Sequence, residues 1–118
     1  MIEDAETPVQ TYFEAWVDKD VEKLRSVLAD DVEFIGPLAH LHNAAAYCDS
    51  MAGLYRITSR IVVRKRFVDG PDVLTWFELH TQSAAPVAVA NWSHIENGKI
   101  RRARIAFDPR GLVRAASQ

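Results

Sequence analysis

The chain has 118 residues, 48% of them hydrophobic, which is enough for a buried core, and we expect a single domain over residues 1–118. Sixteen acidic and fourteen basic side chains give a net charge of −2, which argues against a nucleic-acid-binding protein. Cys48 is the only cysteine, and no apolar run is long enough to span a membrane. We therefore predict a cytoplasmic protein without disulfides that binds neither nucleic acid nor membranes.

The N-terminal part of the sequence predicts two helices. Thr7 is expected to be an N-cap, with Pro8 at the first helical position and Gln10 completing a capping box. Asp20 is expected to cap a second, short helix that ends at Ala29-Asp30-Asp31. Apolar residues at helical spacing form the stripe of the first helix: Val9, Tyr12, Phe13, Trp16 and Val17.

A short strand, a loop and a third helix follow. The strand covers residues 32–35 and ends at Gly36-Pro37, and the loop covers residues 38–42. Asn43 is predicted to cap the third helix. The inward stripe of this helix contains Ala44, Tyr47, Cys48, Met51, Leu54 and Tyr55.

The second half of the sequence is predicted to form strands, because from Ser59 onward the hydrophobic period is two. Asn97-Gly98 tolerates two successive positive φ angles and predicts a type I′ hairpin turn. Alternation places Asn91 on an otherwise apolar face, where its amide needs a partner that a ligand pocket can provide. The four strands are expected at about residues 59–68, 72–82, 86–96 and 99–108.

Three segments carry a family resemblance: Tyr12–Trp16 followed by Asp20, residues 28–32, and residues 96–100 before a strand that ends at Phe107-Asp108-Pro109. In this order the chain resembles the nuclear-transport-factor-2-like superfamily, and within it the SnoaL-like and ketosteroid-isomerase-like bacterial proteins. The resemblance implies a cone-shaped α+β barrel, in which three N-terminal helices pack on a curved, mostly antiparallel sheet. It also implies an apolar pocket at the open end of the cone and pairing of the outer sheet face with a second subunit.

The resemblance suggests catalytic residues as well. Tyr12 matches an oxyanion-hole tyrosine, and Asn91 matches the second oxyanion donor, which is an aspartic acid in the isomerases. Gly36 matches the general-base aspartate and has no side chain to accept a proton. Glu78 and His80, if they face inward with Asn91, would supply that acceptor. The ligand pocket is then expected to be lined by Trp16, Phe34, Gly36, Met51, Tyr55, Trp76, Val89, Ile105 and Phe107.

The register of the strand at 72–82 is open at this point. A one-residue slip would send Glu78 and His80 outward and turn their apolar neighbours inward. The apolar residues alone favour the slipped register, whereas the resemblance favours the inward one. On the outside, Glu78 could pair with Arg64 or Arg104 across the sheet.

Metal and cofactor sites find little support in the sequence. His40-Leu41-His42 lacks a defined third ligand, so no metal is predicted. No glycine-rich phosphate motif is present, so no cofactor is predicted either. Cys48 lies on a buried helix stripe and is expected to be a core residue rather than a nucleophile.

Three functions are compatible with this sequence. The first is an enzyme that isomerises, cyclises or dehydrates an apolar, carbonyl-bearing molecule, with Tyr12 and Asn91 stabilising an oxyanion. The second is a non-catalytic module that binds a small apolar molecule. The third is a dimerisation domain whose own aromatic side chains fill the cavity. A homodimer is expected, because the late strands carry apolar residues on the outer sheet face: Ala88, Ala90 and Trp92.

Overall fold

Three helices and six strands make up the part of the chain that the structure, a computed structural model, describes: residues 4–82 and 84–111. Within these residues, no helix is both long enough and apolar enough to cross a membrane. In chain order the elements are α1 (Glu6–Asp18), α2 (Val21–Ser26), β1 (Leu28–Ile35), β2 (His40–Leu41), α3 (Ala44–Ile57), β3 (Thr58–Asp69), β4 (Asp72–Thr81), β5 (Val87–Glu96) and β6 (Lys99–Ala106).

The strands form one curved sheet in the order β2-β1-β6-β5-β4-β3. β1 runs parallel to β6, and every other neighbouring pair is antiparallel. Register shifts interrupt the pairing between Val63 and Lys65 and between His94 and Ile95, and such irregularities bend a sheet. The expected α+β fold with three helices on a mostly antiparallel sheet is confirmed. The sheet is an open cone rather than a closed barrel, because β2 and β3 remain its two edges.

Two of the three predicted helix caps are confirmed. The Asp20 carboxylate accepts a hydrogen bond from the backbone N–H of Lys23 at 3.0 Å, and the Asn43 side chain accepts one from Ala46 at 2.8 Å. The prediction that Thr7 caps α1 is wrong. Asp4 provides the acceptor instead, and its carboxylate receives the backbone N–H of Thr7 at 3.2 Å, so the helix begins earlier.

Two predicted boundaries in the first half are also wrong. Residues 29–31 do not end α2 but belong to β1, which starts at Leu28 opposite Ile100 of β6. The predicted loop at 38–42 contains β2, which pairs with the end of β1. In both places the partner strand supplies the backbone hydrogen bonds, and a local reading of the sequence does not include that partner.

The hairpin between β5 and β6 agrees with its prediction. Asn97 and Gly98 both have positive φ, at 54° and 76°. Along β5 the predicted alternation holds: Val89, Asn91 and Ile95 are buried, and Trp92 is half exposed on the outer face.

The inward register expected for β4 is wrong. Thr75 lies opposite Asn91 of β5, so Trp76, Glu78 and His80 point to the outer face of the sheet. Phe77 is 1% exposed, whereas Trp76 is 46% exposed. The observed register is therefore the slipped one, which the apolar residues alone favoured, because it buries the apolar side chains at alternate positions of β4.

Candidate functional site

A cavity of about 180 Å³ lies between α1, α3, the β1–β2 turn and the inner face of the sheet. Most of its wall is apolar, and its polar side chains are those of Tyr12, Ser50 and Asn91 together with the indole of Trp16. The Trp16 N–H is already used, because it donates to the Thr58 hydroxyl at 2.9 Å. The lining residues are Tyr12, Trp16, Phe34, Gly36, Pro37, Leu38, Ala39, Ser50, Met51, Leu54, Phe77, Leu79, Val89, Asn91, Ile105 and Phe107.

The cavity contains most of the residues predicted for the pocket, but not all. Tyr12 and Asn91 both line it. Tyr55 is buried beside Trp16 without reaching the cavity wall, and Trp76 lies on the outer face. The other predicted lining residues are in place: Trp16, Phe34, Gly36, Met51, Val89, Ile105 and Phe107.

Tyr12 lies on the inward stripe of α1 and is fully buried. Its hydroxyl oxygen accepts a hydrogen bond from the Tyr47 hydroxyl at 2.9 Å, while its own proton points to the Met51 sulfur at 3.9 Å. Burial raises the pKa of Tyr12 to about 12, although hydrogen bonds from Tyr47 and Asn91 lower it in part. The phenol is therefore neutral near pH 7, and its donor faces only a weak acceptor.

Asn91 sits in the middle of β5 and is 1% exposed. Its carbonyl oxygen accepts a hydrogen bond from the Ser93 hydroxyl at 2.9 Å, one strand repeat away. That contact fixes the amide orientation, so the NH₂ group is the part of Asn91 that remains to donate. Its hydrogen bond to the Tyr12 oxygen brings the two predicted donors together in the cavity wall.

Tyr47 is a site residue that the sequence pattern placed only on the inward stripe of α3. Its hydroxyl donates to Tyr12, and its ring packs edge-on against Phe34 with centroids 4.8 Å apart. Burial raises the pKa of Tyr47 well above its ordinary value. The sequence did contain a signal for this role. Tyr47 and Met51 are four residues apart and therefore lie on one helix face, and in the structure both contact Tyr12.

The position that matches the general base is a glycine in a tight place. A Cβ added to Gly36 would lie 3.1 Å from the Phe34 ring and 3.6 Å from Ile105. The Phe34 ring would therefore have to move by a few tenths of an ångström to admit a side chain at this position. Among the residues that line the cavity, all of them in the described part of the chain, there is no carboxylate and no histidine.

Glu78 and His80, the two predicted proton acceptors, form an ion-pair cluster on the opposite face of the sheet. The Arg64 guanidinium donates to both Glu78 oxygens at 3.1 Å, and His80 Nε2 lies 3.3 Å from Glu78 Oε1. The Arg64 hydrogen bonds hold the pKa of Glu78 below its ordinary value. The alternative pairing of Glu78 with Arg64 is confirmed. Because the sheet separates them from the cavity, Glu78 and His80 cannot reach a molecule bound there.

The buried tyrosines predict how stability depends on pH. An unfolded tyrosine ionises near pH 10, about two units below the folded-state pKa of Tyr12. Above about pH 10 the unfolded state therefore loses protons that the folded state keeps, and stability should fall toward pH 12. Urea unfolding of wild type and Tyr12→Phe at increasing pH measures this. The slope of wild type should be steeper by up to about 1.4 kcal/mol per pH unit; equal slopes would contradict the burial of an ionisable Tyr12.

Comparison with known proteins identifies the family. The SnoaL-like domain family matches residues 9–103. The chain belongs to this family. Such domains form part of the nuclear-transport-factor-2-like superfamily, whose cone-shaped α+β fold the sheet and helices reproduce. Among curated proteins, no sequence matches this SnoaL-like chain significantly.

Solved structures share the fold of this SnoaL-like domain at low sequence identity. A protein from Kribbella flavida is 22% identical with a TM-score of 0.86, over 93% of this chain and 91% of that one. An epoxide hydrolase of the LEH-like type from M. tuberculosis is 18% identical with a TM-score of 0.74, over 93% and 92%. A proposed ketosteroid isomerase from K. flavida is 16% identical with a TM-score of 0.79, over 91% and 79%. These likenesses show the fold, and one fold here carries different chemistries.

Proposed function

We propose that this SnoaL-like domain binds a small apolar molecule that carries one carbonyl oxygen. The hydrocarbon part of the ligand would fill the apolar cavity, and the oxygen would accept hydrogen bonds from Tyr12 and Asn91. Of the three functions that are compatible with the sequence, this is the second, a non-catalytic module that binds a small apolar molecule. It is favoured over acid–base catalysis because the lining residues described include no carboxylate or histidine.

The contact between Tyr12 and Met51 carries this proposal. A buried phenol usually finds a good acceptor, yet the acceptor that Tyr12 reaches is a thioether at 3.9 Å. A carbonyl oxygen in the cavity would replace this weak contact with a stronger one. Asn91 supports the same site, since the Ser93 hydroxyl holds its carbonyl oxygen, one amide N–H donates to Tyr12, and the second N–H remains as a donor.

A matched pair of ligands tests the proposal: 1-indanone, a bicyclic ketone, and indane, the same hydrocarbon without the oxygen. Trp16 lines the cavity, and the other two tryptophans lie on the outer face, so a Trp76→Phe/Trp92→Phe variant reports binding through Trp16 alone. We expect saturable quenching by both ligands and tighter binding of the ketone by about tenfold, the worth of one oriented hydrogen bond. Equal affinities would contradict a donor site, and no quenching would contradict a ligand site.

The same two donors favour a second candidate function, catalysis through an enolate. Tyr12 and Asn91 would stabilise the negative oxygen of an enolised ketone as they would a carbonyl oxygen. Water entering the cavity would then have to accept the proton. Exchange of the α-hydrogens of 1-indanone in deuterated water, followed by proton NMR, separates the two functions. Faster exchange in wild type than in Tyr12→Phe supports catalysis, and equal exchange supports binding alone.

We also propose that the outer face of the sheet forms a homodimer interface. Leu74 lies opposite Trp92, and Trp76 lies opposite Ala90, so these side chains form one apolar patch across β4 and β5. Trp76 and Trp92 are 46% and 50% exposed, and Phe67 extends the patch onto β3 opposite Leu74. An apolar sheet face of this kind is normally covered in an assembly.

Trp92→Asp should weaken dimerisation strongly, because it places a charge in the middle of this patch. Trp16→Ala changes the same residue type on the inner face and serves as the matched control. Sedimentation velocity at several protein concentrations measures the outcome. A wild-type protein that sediments only as a 13.3 kDa species would contradict the dimer, as would a larger effect of Trp16→Ala.

A further inference from the structure

We propose that Glu33, His40 and His42 form a binding site for a divalent transition-metal ion of the zinc class, on the outer face of the sheet at its β2 edge. One ligand atom from each of these three residues lies within 4.8 Å of the other two. The sequence alone showed a His-x-His pair without a third ligand. The fold supplies that ligand from β1.

Strand geometry explains why the three side chains meet. His40 and His42 are two residues apart, so they lie on the same face of the chain, and their ring centroids are 4.5 Å apart. β2 pairs with β1 through Phe34–Leu41 and Ile35–His40, and the same antiparallel register brings Glu33 beside His42. The alternate residues Phe34 and Leu41 pack toward the core, which leaves the three candidate ligands on the outside.

The donor set suits zinc and its neighbours in the first transition row. Two imidazole nitrogens and one carboxylate oxygen are common ligands of Zn²⁺, Co²⁺ and Ni²⁺, with water in the remaining positions. Donor atoms around a tetrahedral zinc ion are about 3.4 Å apart, given bonds of about 2.0–2.1 Å. Since His40 and His42 are exposed, small side-chain rotations can close the present separation.

Arg104 orients the carboxylate in this cluster. Its guanidinium donates to Glu33 Oε1 at 2.6 Å, and a carboxylate has a second oxygen that can bind a metal. Such contacts from neighbouring groups hold metal ligands in place, although the positive charge of Arg104 also opposes a cation. Because this charge weakens the attraction for a metal ion, we expect that one histidine alone does not bind the ion and that binding depends on all three ligands.

Titration of the purified full chain with Co²⁺, followed by its visible absorption, tests the site. We expect one equivalent to bind per chain, and His40→Gln, His42→Gln and Glu33→Gln each to weaken binding at least about tenfold. His94→Gln is the matched control, since His94 lies on the same outer face 2.7 Å from the Asp72 carboxylate but belongs to no group of three candidate ligands among the described residues. It should leave the affinity unchanged.

Three results would overturn the site: no stoichiometric binding by wild type, binding that survives in a His40→Gln/His42→Gln double variant, or an equal loss in His94→Gln. Circular dichroism of each variant shows that the fold is intact, which is expected because both histidines are exposed. The site does not involve Tyr12 or Asn91. Its failure would therefore leave the proposed ligand site untouched, and the reverse also holds.

Discussion

Replacing Phe77 with alanine should lower the free energy of unfolding by about 3–5 kcal/mol, the usual cost of removing a buried phenyl ring. Phe77 is 1% exposed and packs edge-on against Phe13 and Trp16, with ring centroids 4.9 and 5.5 Å apart. Urea unfolding measures the change. The substitutions are compared in a Trp92→Asp background, in which we expect dimerisation to be weakened already. Dissociation of a dimer then does not contribute to the difference in unfolding free energy.

Phe67→Ala is the matched control for this prediction. Phe67 is 56% exposed and pairs with Leu74 on the outer face, so its removal should cost less than about 1 kcal/mol. Trp76→Ala tests the register directly, since Trp76 would be the buried residue if β4 were shifted by one position. A large loss in Trp76→Ala with a small loss in Phe77→Ala would contradict the register.

Replacing Asn91 with leucine should weaken the binding of 1-indanone at least about tenfold while leaving indane binding unchanged or improved. The variant removes one donor to the carbonyl oxygen and adds apolar surface of similar size to the cavity wall. Stability should change by no more than about 1–2 kcal/mol, because the Ser93 hydroxyl loses its partner but the site remains packed. Trp16 fluorescence and urea unfolding measure the two effects.

Ser93→Ala in the Asn91→Leu background should recover part of the lost stability without recovering ketone affinity, because it removes the unpaired hydroxyl and adds no donor. Tyr12→Phe should also weaken ketone binding, and the two substitutions together should cost less than the sum of their separate effects, since both donors address one oxygen. Should Asn91→Leu bind the ketone as tightly as wild type, Asn91 is only a structural amide.

The fold was predictable from the sequence where local patterns dominate. Asp20, Asn43 and Asn97-Gly98 each fix a helix start or a turn through their own side chains or backbone angles, and the structure confirms all three. The start of β1 at Leu28 was not predictable in this way. It depends on Ile100, which lies far away in the sequence.

The candidate site was predictable only in part. Asn91 was identified by the alternation along its strand and Tyr12 through the family resemblance, and the structure brings them together. Glu78 and His80 were expected to face inward and to supply a base. The strand instead buries Phe77 and Leu79, because burying these apolar side chains stabilises the fold and turns the polar ones outward. Tyr47 was missed because the stripe of a helix does not distinguish a core tyrosine from one that donates to a site hydroxyl.

The carbonyl stretching frequency of bound 1-indanone tests the central claim most directly, since it reports hydrogen bonds to the ligand oxygen itself. In wild type the infrared band should lie below its frequency in a hydrocarbon solvent, because two buried donors polarise the carbonyl group. Tyr12→Phe and Asn91→Leu should each move the band part of the way back, and the double variant should move it fully. A bound ketone that absorbs in wild type as it does in hydrocarbon would contradict the donor site.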